Sequence, residues 1–310
     1  MRALAATRRP TDQINLSHVW LVMVYLFAIV IASTVSGQEA KPKEDPKFKP
    51  RPVTLKTKDG MEIRAFYFPS DKGKDAITVM LVHEWQGKGA SPYGKLVKSL
   101  RDAGCAVLAP DYRGHGGSTQ RTKDKKFNIA QMSKRDVEKI IAFDLEKAKG
   151  FLKKENNEEN LNLNALVLIG IGEGCVMAAH WAQRDWSFPS VGRMKQGQDV
   201  KCLVFVSPEK QVKGIGIDPA INSLIRLPVM IVAGASSPEA SEAKRLSKRI
   251  EGMKKRIGRG KATGFEFNSV DTSLSGPALV TELSSVISGI TDFITNEVVI
   301  SDEENPWISR

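Results

Sequence analysis

The stretch that most constrains this chain is Ala165-Leu-Val-Leu-Ile-Gly-Ile-Gly-Glu-Gly-Cys-Val-Met-Ala-Ala-His-Trp-Ala182. Leu166 to Ile169 is a short apolar run, which reads as a strand buried on both faces. It breaks at alternating glycines, Gly170, Gly172 and Gly174, and a helix-forming run follows at once. A buried strand that reverses into a helix across so tight a turn must pack that helix back on a sheet. The fold is therefore layered, with strands inside and helices outside.

Hydrophobic periodicity places the other elements. Val53 to Thr57 and Met61 to Phe68, either side of Lys58-Asp59-Gly60, read as a β-hairpin with an Asp-Gly turn. Ile77 to Val82 is an apolar strand. Pro92 to Ala103 has helical spacing (Tyr93, Leu96, Val97, Leu100) and stops at Gly104. Cys105 to Ala109 is the next strand. Val137, Ile140, Ile141, Leu145, Ala148, Phe151 and Leu152 make one stripe of a long helix, and Asn156 to Asn164 reads as a polar turn. A helix through Val176, Ala179, His180 and Ala182 ends about Arg184, and Asp185 to Asp199 is expected to be irregular. Strands at Lys201 to Val206, Pro228 to Ala233 and Gly264 to Val270 then alternate with helices at Pro219 to Ile225, Pro238 to Glu251 and Pro277 to Ile294. The class is α/β: a mostly parallel central sheet with helices on both faces and no large cap domain.

The N-terminus reads as a targeting segment. Arg2, Arg8 and Arg9 precede an uncharged apolar run, Val19 to Val35, and small residues lead to Gln38. Residues 1–37 are thus expected to be a cleaved export signal, with an uncleaved membrane anchor as the rival. Residues 38–52 alternate Pro, Lys and Glu and are expected to form an extended tether. The folded domain is expected over 53–296, followed by a tail, 297–310. The net charge of +11 concentrates in the N-terminal segment and in two clusters, Arg121 to Arg135 and Lys244 to Lys261. Neither cluster carries a series of aromatic residues for stacking on bases, so they read as solvated faces and no specific nucleic-acid partner is expected. Cys105, Cys175 and Cys202 are an odd number beside core elements, and read as buried thiols.

Three motifs bear on function. His83-Glu84-Trp85-Gln86-Gly87 follows the third strand. Asp111-Tyr-Arg-Gly-His-Gly-Gly-Ser118 follows the fourth. Gly170-Ile-Gly-Glu-Gly174 has the frame of a nucleophile elbow, Gly-x-Ser-x-Gly. Together with the element order they resemble the α/β-hydrolase superfamily from Val53 to about Asn296, closest to dienelactone-hydrolase-like and S33-peptidase-like members. That resemblance implies hydrolysis of ester, lactone or peptide bonds, a nucleophile–acid–histidine triad in that chain order, and an oxyanion site on the His83 loop.

The triad positions do not carry that chemistry. The nucleophile position holds Gly172. The acid position after Pro228 to Ala233 reads Gly234-Ala235-Ser236-Ser237, with no carboxylate before Glu239. The histidine position falls at Ser275-Gly276. Independently of any alignment, the chain has four histidines and the last is His180, ahead of the predicted acid strand. Without a base a serine hydroxyl stays protonated and weakly nucleophilic. Glycine at 172 keeps the positive-φ turn while relieving strain on the order of 1–3 kcal/mol that a residue with a Cβ would store.

Other residues near the elbow and the loops are candidates to supply the missing chemistry. Cys175 lies three residues past the tip and reads as a core thiol. Glu173 is a candidate base or water-positioning group; the alternative is an exposed carboxylate at a helix N-terminus. His83 and Glu84 are candidate ligand contacts or loop anchors. His115 reads as loop-stabilising, and His180 as a helix residue facing sheet or solvent. The glycines also suggest a dinucleotide site, Gly170-x-Gly172-x-x-Cys175, but no acidic strand end follows about 20 residues on. The expectation is an exported binding protein, catalytically inactive, holding a small ligand through His83, Glu84, Trp85, Gln86, Gly172 and Glu173, with no cofactor and no metal. The rivals are an active hydrolase built on Glu173, His83 and Glu84, and a surface adhesin for anionic polymer.

Overall fold

The hairpin forms where the Asp-Gly pair predicts it. Strand β1 (Arg51–Lys56) pairs antiparallel with β2 (Glu62–Phe68), with Leu55 opposite Ile63. Along β2 buried Ile63, Ala65 and Tyr67 alternate with exposed Glu62, Arg64 and Phe66, the pattern of a strand with one dry face. The computed structural model describes residues 46–310 except 86, 88–90, 123–124 and 192–194. The expected export segment and most of the tether lie outside the described residues. Within them the tether ends sooner than expected. Pro46–Phe48 is a 3-10 turn whose Phe48 carbonyl accepts from Arg101 Nη2 at 2.9 Å, and Arg51 and Pro52 already pair with Tyr67 and Phe66.

Six more strands complete one sheet: β3 (Ile77–Val82), β4 (Ala106–Asp111), β5 (Asn162–Ile171), β6 (Val200–Val206), β7 (Val229–Gly234) and β8 (Phe265–Val270). Their order is β1-β2-β4-β3-β5-β6-β7-β8. The β2–β4 pair is antiparallel and every pair from β4 to β8 is parallel. Side chains on β3 divide between two cores. Met80 and Val82 face α2 (134–157), α3 (Gly174–Ser187) and α4 (Ala240–Ile257). Val79 and Leu81 face α1 (Gly94–Asp102), α5 (Pro277–Glu282) and α6 (Ser284–Glu297). Burial on both faces is why these strands are apolar throughout.

Several boundaries differ from the sequence expectation. The long helix α2 is interrupted by a π segment, Ile140–Asp144. Helix α3 runs to Ser187, α4 starts at Ala240 and reaches Ile257, and the last helical stretch divides into α5 and α6 at Leu283. The connection from β6 to β7 holds a small hairpin (Gln211–Val212 with Ile215–Gly216) and a short helix (Asp218–Ile221), so no large cap covers the sheet.

The expected C-terminal tail is part of the fold. The asparagines read as a polar turn hold it by side-chain amides: Asn156 donates to the Ile308 carbonyl at 2.9 Å, Asn162 to Asn305 at 2.9 Å and Asn164 to Pro306 at 3.0 Å. Arg310 pairs with buried Asp199, which also pairs with Lys149.

Candidate functional site

The elbow has the backbone its glycines imply. Strand β5 ends at Ile171, Gly172 turns at φ 56°, and α3 begins at Gly174. Close approach explains the outer pair. A Cβ at Gly170 would lie 2.6 Å from Cys175 Cα, and one at Gly174 would lie 2.1 Å from the Val82 carbonyl oxygen. The tip is covered: a Cβ at Gly172 would stand 3.1 Å from Glu84 Cβ. Glu84 Cβ therefore stands close against the position that a nucleophile's Cβ would take.

Glu84 is held there by the loop after β3. Tyr112 Oη lies 2.7 Å from the His83 carbonyl oxygen and 3.0 Å from that of Glu84, and the Gly87 amide donates to Glu84 O at 3.1 Å. Tyr93 donates its hydroxyl to the Glu84 carboxylate. Burial raises the Glu84 pKa, and nearby Glu173 adds to that rise against the lowering by Tyr93. His83 is 2% exposed and stacks on Tyr112 with centroids 3.9 Å apart; its Nδ1 lies 2.8 Å from Glu84 O. A carbonyl only accepts, so Nδ1 carries the proton. Burial, with the charge of His115 second, holds the His83 pKa down to about 3. His83 is thus bonded within its own loop. Trp85 is buried and its ring meets His115 at 4.8 Å. Gln86 lies outside the described residues.

Glu173 departs most from expectation. It is half-buried, occupies the N-cap position of α3, and makes no capping bond there. Its carboxylate reaches across to the loop and accepts from the Trp85 backbone N–H at 3.1 Å. An oxyanion hole in this kind of elbow combines the N–H of the residue after the nucleophile with an N–H from the loop after β3. Here that loop donor is already bonded to a carboxylate of the chain itself.

The other triad positions face each other without an acid–imidazole pair. Ser275 Oγ donates to Glu239 Oε2 at 2.7 Å, while the Ser236 amide donates to Thr272 O at 3.0 Å. Glu209, just beyond β6, was missed as a site residue, since the sequence shows it only as a strand-end acid. Its pKa is raised by burial and by the charges of Glu173 and Glu239, so carboxylates surround the mouth of the elbow. Ser207, also missed, holds φ 48° and accepts from the Gly276 N–H at 2.8 Å, tying β6 to the Ser275 loop. Only an unusual φ would have flagged it, and sequence does not show φ for a serine. Among the described residues each imidazole bonds a backbone carbonyl and none bonds a carboxylate: His115 meets Arg113 O at 3.0 Å and His180 meets Gly216 O at 2.8 Å. Cys175 is fully buried with its pKa raised by desolvation, a core thiol as expected. No group of three or more His, Cys, Asp or Glu suited to a metal occurs among the described residues.

The Asp111 motif is structural. Arg113 donates to buried Asp144 on the π segment (Nη2–Oδ1 2.6 Å) and to Asp59 in the β1–β2 turn (Nη1–Oδ2 2.6 Å). This clamp fixes the loop that carries Tyr112 and His115 under the site.

Sheet order, elbow and loop define a class, and the family comparison agrees with it. The family of the alpha/beta hydrolase fold matches residues 77–235, and the chain belongs to that family. It is similar to an uncharacterized protein of Mycobacterium tuberculosis, 33% identical over 75 residues, which is 24% of this chain and 26% of that relative. The match thus spans about a quarter of the relative's length. Solved structures share the fold. The Pyrococcus furiosus esterase Pf2001 aligns with TM-score 0.55 and 18% identity, over 81% of this chain and 94% of that one. A Rhizomucor miehei esterase aligns at 0.52 and 13% over 94% and 93%. The α/β hydrolase GrgF from a Penicillium aligns at 0.55 and 13% over 81% and 99%.

Proposed function

We propose that this chain is a hydrolase-fold protein that has lost hydrolytic chemistry and acts by binding a small molecule at the vestigial elbow. The observation that carries the reading is the Glu173 carboxylate on the Trp85 N–H, 3.1 Å apart, beside a nucleophile position that is glycine. A developing oxyanion needs that donor free. A carboxylate in its place repels the same charge the hole would stabilise. With Glu84, Glu209 and Glu239 around it, the mouth disfavours carboxylate or phosphate ligands and favours a neutral or cationic one. Incubation with a fluorophosphonate probe and a panel of aryl esters, lactones and aminoacyl substrates tests the loss of chemistry. Covalent labelling, or turnover abolished by Glu173→Ala, would overturn it.

One observation favours a second reading. Glu84 and Glu173 are neighbouring carboxylates, and burial with mutual repulsion raises the pKa of Glu84, the pattern of an acid–base pair. An active hydrolase built on Glu173, Glu84 and His83 would lose its activity in both Glu173→Gln and His83→Ala.

Location is part of the proposal and rests on residues 1–37: a positive flank, an apolar run and small residues ahead of Gln38. No described helix is long and apolar enough to cross a membrane. Fractionation with N-terminal sequencing of the mature chain tests it. A mature protein retained in the cytoplasm with Met1 intact would refute export.

A further inference from the structure

A second cavity lies away from the elbow, in a groove of about 560 Å³ between the β1–β2 turn, α2 and the C-terminal end of α3. Its volume falls within the range of small-molecule sites. Two half-buried aromatic rings line it, Phe143 from the π segment and Phe188 just after α3. The guanidinium of Arg184 sits over the Phe188 ring at 5.2 Å, and its contact with Glu146 is loose, at 4.0 Å. Lys56, Lys58 and Lys147 also line the groove, and their ammonium groups make no ion pair among the described residues. Four cations thus stand against one carboxylate, Glu146.

The floor contains Gly150, in the interior of the helical segment Leu145–Asn157. A Cβ there would meet nothing within 4 Å, and its φ lies outside the left-handed region. Glycine inside a helix costs about 1 kcal/mol relative to alanine, and neither packing nor backbone geometry in the protein requires it here. The π segment alongside is itself a type of irregularity that concentrates at functional sites. An open floor, aromatic walls and a cationic rim have one chemistry in common.

We propose that this groove binds an amphipathic anion: a flat apolar body between Phe143 and Phe188, with a phosphate, sulfate or carboxylate group at Arg184 and the lysines. The elbow mouth is anionic and this groove cationic, so the two sites select opposite charges and the inference does not depend on the elbow reading. Calorimetric titration of the full-length protein with 1-naphthyl phosphate tests it, with inorganic phosphate and 2-naphthol as the separate head and body. The ester is expected to bind saturably and at least tenfold more tightly than either part. Gly150→Leu, a helix-compatible change that fills the floor, and Arg184→Gln are each expected to weaken binding at least tenfold, whereas Glu84→Gln leaves it unchanged. Absence of saturable binding by the wild type would overturn the proposal. So would equal affinity in Gly150→Leu, inorganic phosphate as tight as the ester, or loss of binding in Glu84→Gln.

Discussion

The Glu173 carboxylate accepts the backbone N–H of Trp85 at 3.1 Å, so the residue after the elbow tip bonds the loop donor that a hydrolase would aim at its transition state. This contact joins the two halves of the vestigial site. It also makes the site's polarity the reverse of an active one.

Glu173→Ala should leave the Trp85 N–H without its acceptor. Loss of a charged, partly buried hydrogen bond is expected to lower stability by about 1 kcal/mol. The specific signature is faster hydrogen exchange at the Trp85 amide, with other loop amides unchanged. Unchanged exchange would mean that the contact does not protect this donor.

Restoring a nucleophile is expected to fail. Gly172→Ser places a Cβ 3.1 Å from Glu84 Cβ on a backbone with φ 56°, and should destabilise by about 1–3 kcal/mol. Denaturant titration reads the loss. Ester assays should stay at background, because no imidazole among the described residues bonds a carboxylate to serve as its base.

Acid should destabilise the protein through its buried imidazoles. The folded-state pKa values are lowered from 6.5, to about 3 for His83 and about 4 for His115, burial being the main cause of each. Between those values and 6.5 the unfolded chain binds more protons than the folded one, so stability rises with pH. The contribution is complete above pH 6.5 and is lost as pH falls towards 4 and then 3. The slope is about 1.4 kcal/mol per pH unit for each histidine. Denaturation midpoints of wild type and His83→Phe, compared from pH 7 to 4, should diverge in slope; parallel curves would refute the assignment.

Arg113→Ala should be among the most damaging single changes. It leaves Asp144, whose side chain is 0% exposed, buried without its cation, for which a loss of about 3–5 kcal/mol is expected. The double variant Arg113→Met with Asp144→Leu should recover much of that loss in thermal unfolding.

How much of this was legible beforehand follows from kinds of information. Strand and helix identity came through because burial sets periodicity within one element: Ile77 to Val82 and the α2 stripe read correctly for that reason. The π segment at Ile140–Asp144 did not, because its apolar spacing resembles that of an α-helix, and its last residue, Asp144, bonds Arg113, 31 residues away in sequence. Asn156 to Asn164 read as a polar turn because five asparagines suggest solvent; three of them, Asn156, Asn162 and Asn164, are buried and donate to carbonyls of 305–308. Asp185 likewise looked like the start of an irregular stretch, whereas its Oδ2 accepts from the amides of Asp199 at 2.7 Å and Val200 at 3.1 Å and so holds the start of β6.

At the site itself the sequence determined what is missing. Gly172 has no side chain, no histidine follows His180, and no alignment error changes either fact. It also determined the elbow, since glycine at 170, 172 and 174 is what a strand folding sharply back into a helix requires. Only the tertiary structure decided what stands against the tip. Glu84 over Gly172 and Glu173 on the Trp85 N–H join loops up to 88 residues apart in sequence, brought together by the pairing of β3 with β5. Side-chain pairing at that separation depends on sheet register and loop path, and neither leaves a period in the sequence.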